Sequence, residues 1–337
     1  MNLKKAIVAT LVVSSMLAAL AGPIPAGAEG AQEKQQEQQQ EQQQSDSKKV
    51  QIDKKQAAKL QKAVRQYAGK EIKLEDVGEL KFVTQVTVQS VDGKYGVFYN
   101  HKSGQIGGVF SKTTIDKISK KDQDEILKVL KGMYSKKTYA FDKEVHVERY
   151  YDNKKENLRD YTSYTLTGKD FTVELVKYHP SMKEYINGVM IFFDKKELEP
   201  KLLKTAAEAV KTTLDHDFDV TKAHLSYGGL IENTWMLQDD KVTIYMESGK
   251  VASLINEQGN KVTTNKEMTE KEAKEAVAPI AKKLFNIDIT GYEVKWDNLF
   301  KDYRFIEKND VTTVRAALDA DKNVVYIKSG SRAAAGN

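Results

Sequence analysis

No cysteine occurs anywhere in the 337-residue sequence, which excludes disulfides, thiolate zinc sites, iron–sulfur clusters and a cysteine nucleophile. Histidine is scarce as well: five imidazoles in the whole chain leave little stock for a metal centre. Charge of one sign is not in excess. Lys and Arg total 53 against 48 Asp and Glu, a net of +5, too even to argue for nucleic acid through counterion release. After the first thirty or so residues no stretch is apolar enough to cross a bilayer, which takes about 20 consecutive apolar residues. The length leaves room for two or more domains at about 150 residues each.

What is present begins with an address. Lys4 and Lys5 precede an uncharged apolar run from Ala6 to Ala21, and Gly22, Pro23 and Pro25 break that run before Ala26-Gly27-Ala28. Basic, apolar, helix-breaking and then small is the order of a secretory signal, and Ala26 and Ala28 are the small residues a signal peptidase reads. Cleavage is expected after Ala28, leaving Glu29 at the new N-terminus. The run is too short for a spanning helix and lacks a stop-transfer flank. With no cysteine behind the small residues, a bacterial lipoprotein is excluded. Losing Lys4 and Lys5 takes the net charge from +5 to +3. The expected location is therefore outside the cell, secreted or associated with the wall, with no stable membrane span after processing. Residues 29–50 form a Gln/Glu-rich stretch in which Glu33, Glu37 and Glu41 would stack and repel on a helix, so a disordered spacer is expected. Residues 331–337 are read as an equally loose tail.

Between these ends the same grammar recurs. Asp53 with Gln56, Ser119 with Asp122, and Thr269 with Glu272 have capping-box spacing, and Glu199-Pro200 places proline at a first helical position. Each predicted helix carries one apolar stripe: Ala57, Leu60, Val64, Tyr67; Ile126, Leu130, Met133; Leu203, Ala206, Val210, Leu214; and Ala273, Val277, Ile280, Leu284. Pro279 is expected to kink or split the last helix. Strands follow with period two, as in Phe82, Val86 and Val88, in Phe171, Val173 and Leu175, and in Val242, Ile244 and Met246. Short polar turns, Ser103-Gly104-Gln105 and Ser248-Gly249-Lys250, lead to closing strands that begin at Ile106 and Val251, and a similar turn leads to Val324. Gly104 and Gly249 are the structural hairpin turns, expected at positive φ.

Starts near residues 53, 119, 200 and 269 lie roughly 65 to 80 residues apart, beyond the 20–50 of solenoid repeats. The expected fold is α+β: tandem small modules, each a helix packed on its own antiparallel sheet. The modules are 51–118, 119–198, 199–266 and 267–330, with joints near 116–120, 195–200 and 265–269. A domain of about 65 residues is marginal alone, so neighbours are expected to pack in pairs. The closing hairpins are expected to set sheet edges, where a partner segment can add as another strand.

A signal sequence followed by repeats of capped helix, antiparallel strands and a closing Gly-x-Ile/Val hairpin resembles the PepSY-like family, and most of all the YcdB/YcdC-type repeat proteins of Gram-positive bacteria. The resemblance covers about residues 50 to 330 and is carried by Ser103-Gly104-Gln105-Ile106 and Ser248-Gly249-Lys250-Val251. It implies a small non-catalytic α+β module, found in propeptides of secreted metallopeptidases and in stand-alone secreted proteins, that restrains peptidases or binds at the cell envelope. The second unit departs from the pattern with an extra strand-like stretch from Val145 to Tyr151.

A search for chemistry returns little. A zinc peptidase needs His-Glu-x-x-His on one helix, and none of His101, His146, His179, His216 or His224 sits in that pattern. Asp215-His216-Asp217-Phe218-Asp219 opens like a calcium loop, but Val220 stands where the turn needs Gly and Ser226 where a bidentate Glu belongs; it reads as a polar loop after a helix. Ser45-Asp46-Ser47-Lys48 lies in the spacer without the companion motifs of penicillin-recognising enzymes. Gly228-Gly229 is too short to cradle a phosphate, Asp239-Asp240 reads as a solvated turn, and Trp235 and Trp296 read as core caps. No catalytic, cofactor-binding or metal residue is assigned. The expected role is a secreted, non-enzymatic protein that binds a secreted or cell-surface protein or peptide, plausibly restraining a peptidase. The alternative is a module that holds an anionic cell-wall polymer on its lysine-rich surface, at pairs such as Lys54-Lys55, Lys120-Lys121 and Lys136-Lys137. Salt separates the two, because scattered lysines lose a polymer as screening rises.

Overall fold

The computed structural model describes residues 48–81, 83–179, 181, 183–228, 231–257, 268–308 and 311–334. The leader with Ala26 and Ala28, most of the spacer, Phe82, Gly229, the joint at 265–267 and residues 335–337 lie outside the described residues. No helix among the described residues is long and apolar enough to cross a membrane. The chain divides into two compact units, Met1–Asn187 and Gly188–Asn337.

In the first unit a short strand, β1 (Lys49–Gln51), precedes α1 (Lys54–Ala68). Asp53 starts the helix by accepting from the amides of Lys55 and Gln56, each at 2.9 Å; such a cap is worth about 1 kcal/mol. A meander follows through β2 (Val77–Lys81), β3 (Gln85–Gln89), β4 (Tyr95–Asn100) and β5 (Ile106–Thr114). Ser119 then caps α2 (Lys120–Met133), its hydroxyl accepting from the Asp122 amide. The unit continues with β6 (Phe141–Asp152), the two-residue β7 (Asn157–Leu158), β8 (Tyr161–Gly168), β9 (Phe171–Tyr178) and the first residues of β10 (Glu184–Phe193). Every pairing is antiparallel, in the order β1–β2–β3–β4–β5–β6–β8–β9.

Both long helices of this unit lie on the same set of alternating positions. Leu60 and Val64 of α1 share a core with Val86, Val88, Val97, Val109 and Tyr151. Asp122, in the first turn of α2, pairs with Lys177 of β9, which shares a strand face with the buried Val173 and Leu175. Burial works against the Lys177 charge, but Asp122 and Glu184 outweigh it and hold its pKa above the usual lysine value. Alternation sends Phe98, Phe110, Tyr150, Glu174 and Tyr178 to the opposite face, which carries no long helix among the described residues.

In the second unit, Gly188–Phe193 of β10 pairs with β11 (Lys222–Gly228), followed by β12 (Ile231–Gln238), β13 (Val242–Glu247) and β14 (Lys250–Asn256). β14 then pairs with the last strand, β18 (Val324–Ser329), and the order returns through β17 (Thr312–Leu318) and β16 (Asp302–Ile306) to β15 (Glu293–Asp297). Two long helices belong to this unit. α3 (Pro200–Leu214) has proline at its first position, and α4 (Glu270–Phe285) opens with a complete Thr269/Glu272 capping box. α4 runs unbroken through Pro279, contrary to the expected split. Its anchoring residues Ala273, Val277 and Ala281 are fully buried, so packing holds the helix where one backbone bond is missing. A short α5 (Gly330–Ala334) ends the described chain where a loose tail was expected; its Ala333 is buried.

The expected fold of tandem modules, each with its own sheet under its own helix, is overturned. Antiparallel strands dominate both units, with 18 strands and four long helices among the described residues. Inside the first unit β5, expected to close module 1, runs in register with β6 of the next segment from Gly108↔Tyr150 to Thr114↔Glu144. Inside the second unit β14 is flanked by β13 and β18. The closing hairpins are therefore interior and not edges. The cause is the marginal size that suggested pairing in the first place: a bare edge leaves a row of N–H and C=O groups unpaired, and joining the strands of adjacent segments removes it. Asn153 extends the same logic beyond the ladder, its side-chain amide exchanging hydrogen bonds of 2.9 and 2.7 Å with the backbone of Ile106.

Candidate binding surface

On the face of the first unit opposite α1 and α2, four tyrosines from four strands stand side by side. Register brings Tyr161 of β8 opposite Tyr178 of β9, with ring centroids 5.7 Å apart. Tyr150 of β6 lies 6.0 Å from Tyr161, and Tyr185 of β10 stacks on Tyr178 at 5.9 Å with ring planes 21° apart. Cross-strand aromatic pairs of this kind stabilise a sheet, yet these rings are not sealed: Tyr178 is 40% and Tyr185 45% exposed. Two phenylalanines continue the aromatic surface. The Phe110 ring lies over Gly96 and the Phe98 ring over Gly107, where a Cβ would collide with the rings.

Two carboxylates sit among these rings. One row along from the tyrosines, Phe110, Glu148, Ser163 and Val176 are successive cross-strand partners; the next row is His146, Thr165 and Glu174. Glu174 accepts from Ser163 Oγ at 2.6 Å and from Asn187 Nδ2 at 2.7 Å. Both donors are neutral, so they orient the charge without cancelling it. Glu148 lies 3.7 Å from His146 Nε2. The field of the two acids is felt nearby: burial, then Glu148 and Glu174, push the Tyr150 phenol well above its ordinary value. The Tyr185 phenol is pushed up to about 12 by its hydrogen bond with Tyr178 and by burial. Arg159 lies beside the row, its Nη1 donating to the Tyr161 hydroxyl at 3.5 Å.

The second unit holds a dense charge cluster, and it is closed. Lys295, Arg304, Arg315 and Lys328 face one another across β15, β16, β17 and β18, an arrangement of like charges that is unfavourable by itself. Asp302, fully buried, offsets it. Arg315 donates to Asp302 through Nε at 2.9 Å and to Asp297 through Nη2 at 2.9 Å, while its guanidinium lies 4.8 Å from the Phe300 ring centre. The Tyr326 hydroxyl donates to Asp302, and Arg304 donates twice to Thr312 Oγ1. Burial, and then Arg315, lower the Lys328 pKa to about 8. α5 lies on this face, with Arg332 4.5 Å over the Tyr245 ring and bonded to Glu247 at 2.7 Å. Satisfied on every side, the cluster reads as a structural network.

Among the residues singled out from sequence, Gly104 and Gly249 sit at φ 68° and 76°. The calcium-like loop does not gather its acids: Lys211 pairs with Asp215 and Asp217, and Lys195 with Asp219. His216 instead meets residues that sequence reasoning had set aside. Its Nε2 lies 2.8 Å from Asp239 Oδ2, and the ligand atoms of His216, Asp239 and Asp240 fall within 4.8 Å of one another. Asp239 Oδ1 already accepts from the amides of Lys241 and Val242, so the contact ties the end of α3 to the β12–β13 hairpin. Trp235 packs 4.7 Å from Phe193, and Trp296 4.9 Å from Tyr303. Of the lysine pairs, Lys120 and Lys121 are ion-paired with Asp124 and Glu184, and Lys137 is buried beside Asp170. The tyrosine row was missed. Its only sequence signal was an excess of 16 Tyr over 2 Trp.

No family model, no curated protein and no solved structure matches this chain. The PepSY-like layout therefore enters the functional argument only through the residues that suggested it.

Proposed function

We propose that this chain is an exported, non-catalytic binding protein that holds a protein or peptide partner on the tyrosine-lined face of its first unit, plausibly restraining a secreted peptidase. The single observation that carries the reading is the row Tyr150–Tyr161–Tyr178–Tyr185, with Tyr178 and Tyr185 40% and 45% exposed. Tyrosine supplies contact area at low entropic cost and a polar tip that tolerates solvent when no partner is bound. The binding mode differs from strand addition at hairpin edges, since β5, β14 and β18 spend their backbone groups on both neighbours. Export is supported by the Lys4–Ala28 segment. Polymer capture by scattered lysines loses ground because Lys120, Lys121 and Lys137 are engaged within the unit.

The test immobilises the full mature chain beside a Tyr178→Ala/Tyr185→Ala variant. Both are exposed to secreted and envelope proteins of a Gram-positive culture, and the peptidase activity of each bound fraction is measured. A partner retained by the wild-type chain and lost by the variant supports the reading. Equal retention by both removes the face from the account.

A further inference from the structure

We infer that the tyrosine face is a receptor for cationic side chains, and that its ligand is an extended segment bearing lysine or arginine. The inference rests on the binding reading above and names the chemistry that reading leaves open. Two observations converge on it. Four tyrosine rings from neighbouring strands form one surface, and the face of an aromatic ring carries the negative end of its quadrupole. Glu148 and Glu174 lie within that surface at adjacent register rows, Glu174 held by two neutral donors and Glu148 by the neutral Tyr150 phenol, beside a histidine ring.

An ammonium or guanidinium group seated between Tyr150 and Tyr185 gains both attractions at once. The site is also shaped for a chain and not for a compact ligand. The aromatic surface runs across successive strands, from Phe98 and Phe110 through Tyr150 and Tyr161 to Tyr178 and Tyr185, and the last two rings are exposed. The ring centroids follow one another at 6.0, 5.7 and 5.9 Å, close to the ~6.6 Å repeat of alternate residues in an extended peptide laid across the strands, so its side chains meet successive rings. An anionic polymer would meet Glu148 and Glu174 with like charge. Neutral sugars gain stacking on the rings but nothing from the acids.

The experiment titrates the full mature chain with a short peptide of alternating lysine and threonine, and with the same peptide carrying norleucine for lysine. The expected result is that the lysine peptide binds roughly tenfold more tightly, a difference that shrinks as salt is raised. Glu148→Gln/Glu174→Gln should remove most of the lysine peptide's advantage over the norleucine peptide and leave only the part owed to the rings. Tyr178→Phe/Tyr185→Phe, which keeps the rings, should retain most of the affinity that the double alanine variant loses. Circular dichroism of each variant separates loss of binding from loss of fold. Equal binding of both peptides, with both weakened by the tyrosine-to-alanine changes, overturns the cationic inference and leaves the binding face standing. Tighter binding of a neutral chito-oligosaccharide than of the lysine peptide also overturns it. No effect of any tyrosine change on any probe overturns the inference and the binding face together.

Discussion

The two units of this chain solve the same packing problem and use the face beyond their helices in opposite ways. In the first unit that face carries rings and acids that the protein leaves partly open: Tyr178 and Tyr185 are exposed, and Glu174 is held by neutral donors. In the second, the charged face is closed over itself. Arg315, Asp302, Tyr326 and Lys328 are all at or below 5% exposure, and α5 pins the neighbouring Tyr245 and Glu247 through Arg332. A density of charge is therefore a poor guide to function here. The Asp302–Arg315 cluster is internally satisfied, and the tyrosine face has two carboxylates held by neutral donors and accessible aromatic area.

The contrast can be broken or sharpened by mutation and by pH. The largest effect is expected at Asp302. Asp302→Ala leaves Arg315 without its main partner, and stranding a buried charge costs about 3–5 kcal/mol, read as a lower denaturation midpoint of the second unit. Glu174→Gln in the first unit should leave stability nearly unchanged, since neutral donors already hold that side chain. Equal destabilisation by both would erase the distinction between a structural and an open face.

Acid comes next. His224 is half-buried against Phe192, and desolvation lowers its pKa to about 4 from 6.5. Because the folded value lies below the unfolded one, the native state resists protonation. Stability is complete above about pH 6.5 and falls by about 3 kcal/mol as pH drops to 4. His224→Phe should remove that part of the acid sensitivity when unfolding is followed across this range.

Lys328 gives a counterpart in alkali. Its pKa falls from 10.5 to about 8, so the unfolded chain holds the proton more tightly and the second unit should gain roughly 2 kcal/mol between pH 8 and 10. Lys328→Met should flatten that rise. The smallest effect belongs to the hairpin glycine: Gly249 has open space about it but φ of 76°, so Gly249→Val should cost about 1–2 kcal/mol through backbone strain and leave peptide binding by the first unit intact.

Local features of the fold were legible in the sequence because their causes are local. Asp53, Ser119, Pro200 and Thr269 mark helix starts by chemistry that acts within one turn, and the Val86/Val88 and Val173/Leu175 alternation follows from strand geometry alone. The joining of β5 to β6 and of β14 to β18 was not legible. Nothing near Ile106 or Val251 records which strand will lie on its far side, and a repeat of similar segments is compatible with separate sheets or shared ones. The tyrosine row failed for the same reason. Tyr150, Tyr161, Tyr178 and Tyr185 have irregular sequence spacing, and only the register of four strands puts their rings together. The Asp302–Arg315–Lys328 network was hidden because each residue looks like an ordinary solvent-facing charge in an alternating strand.

The most direct test of the division between an open face and a closed one is to follow the ring signals of the 16 tyrosines by NMR while the lysine–threonine peptide is added to the full mature chain. The account expects Tyr150, Tyr161, Tyr178 and Tyr185 to shift together and saturably, with Tyr245, Tyr303 and Tyr326 unmoved. Saturable shifts at Tyr245 and Tyr326 with none in the first unit would contradict it.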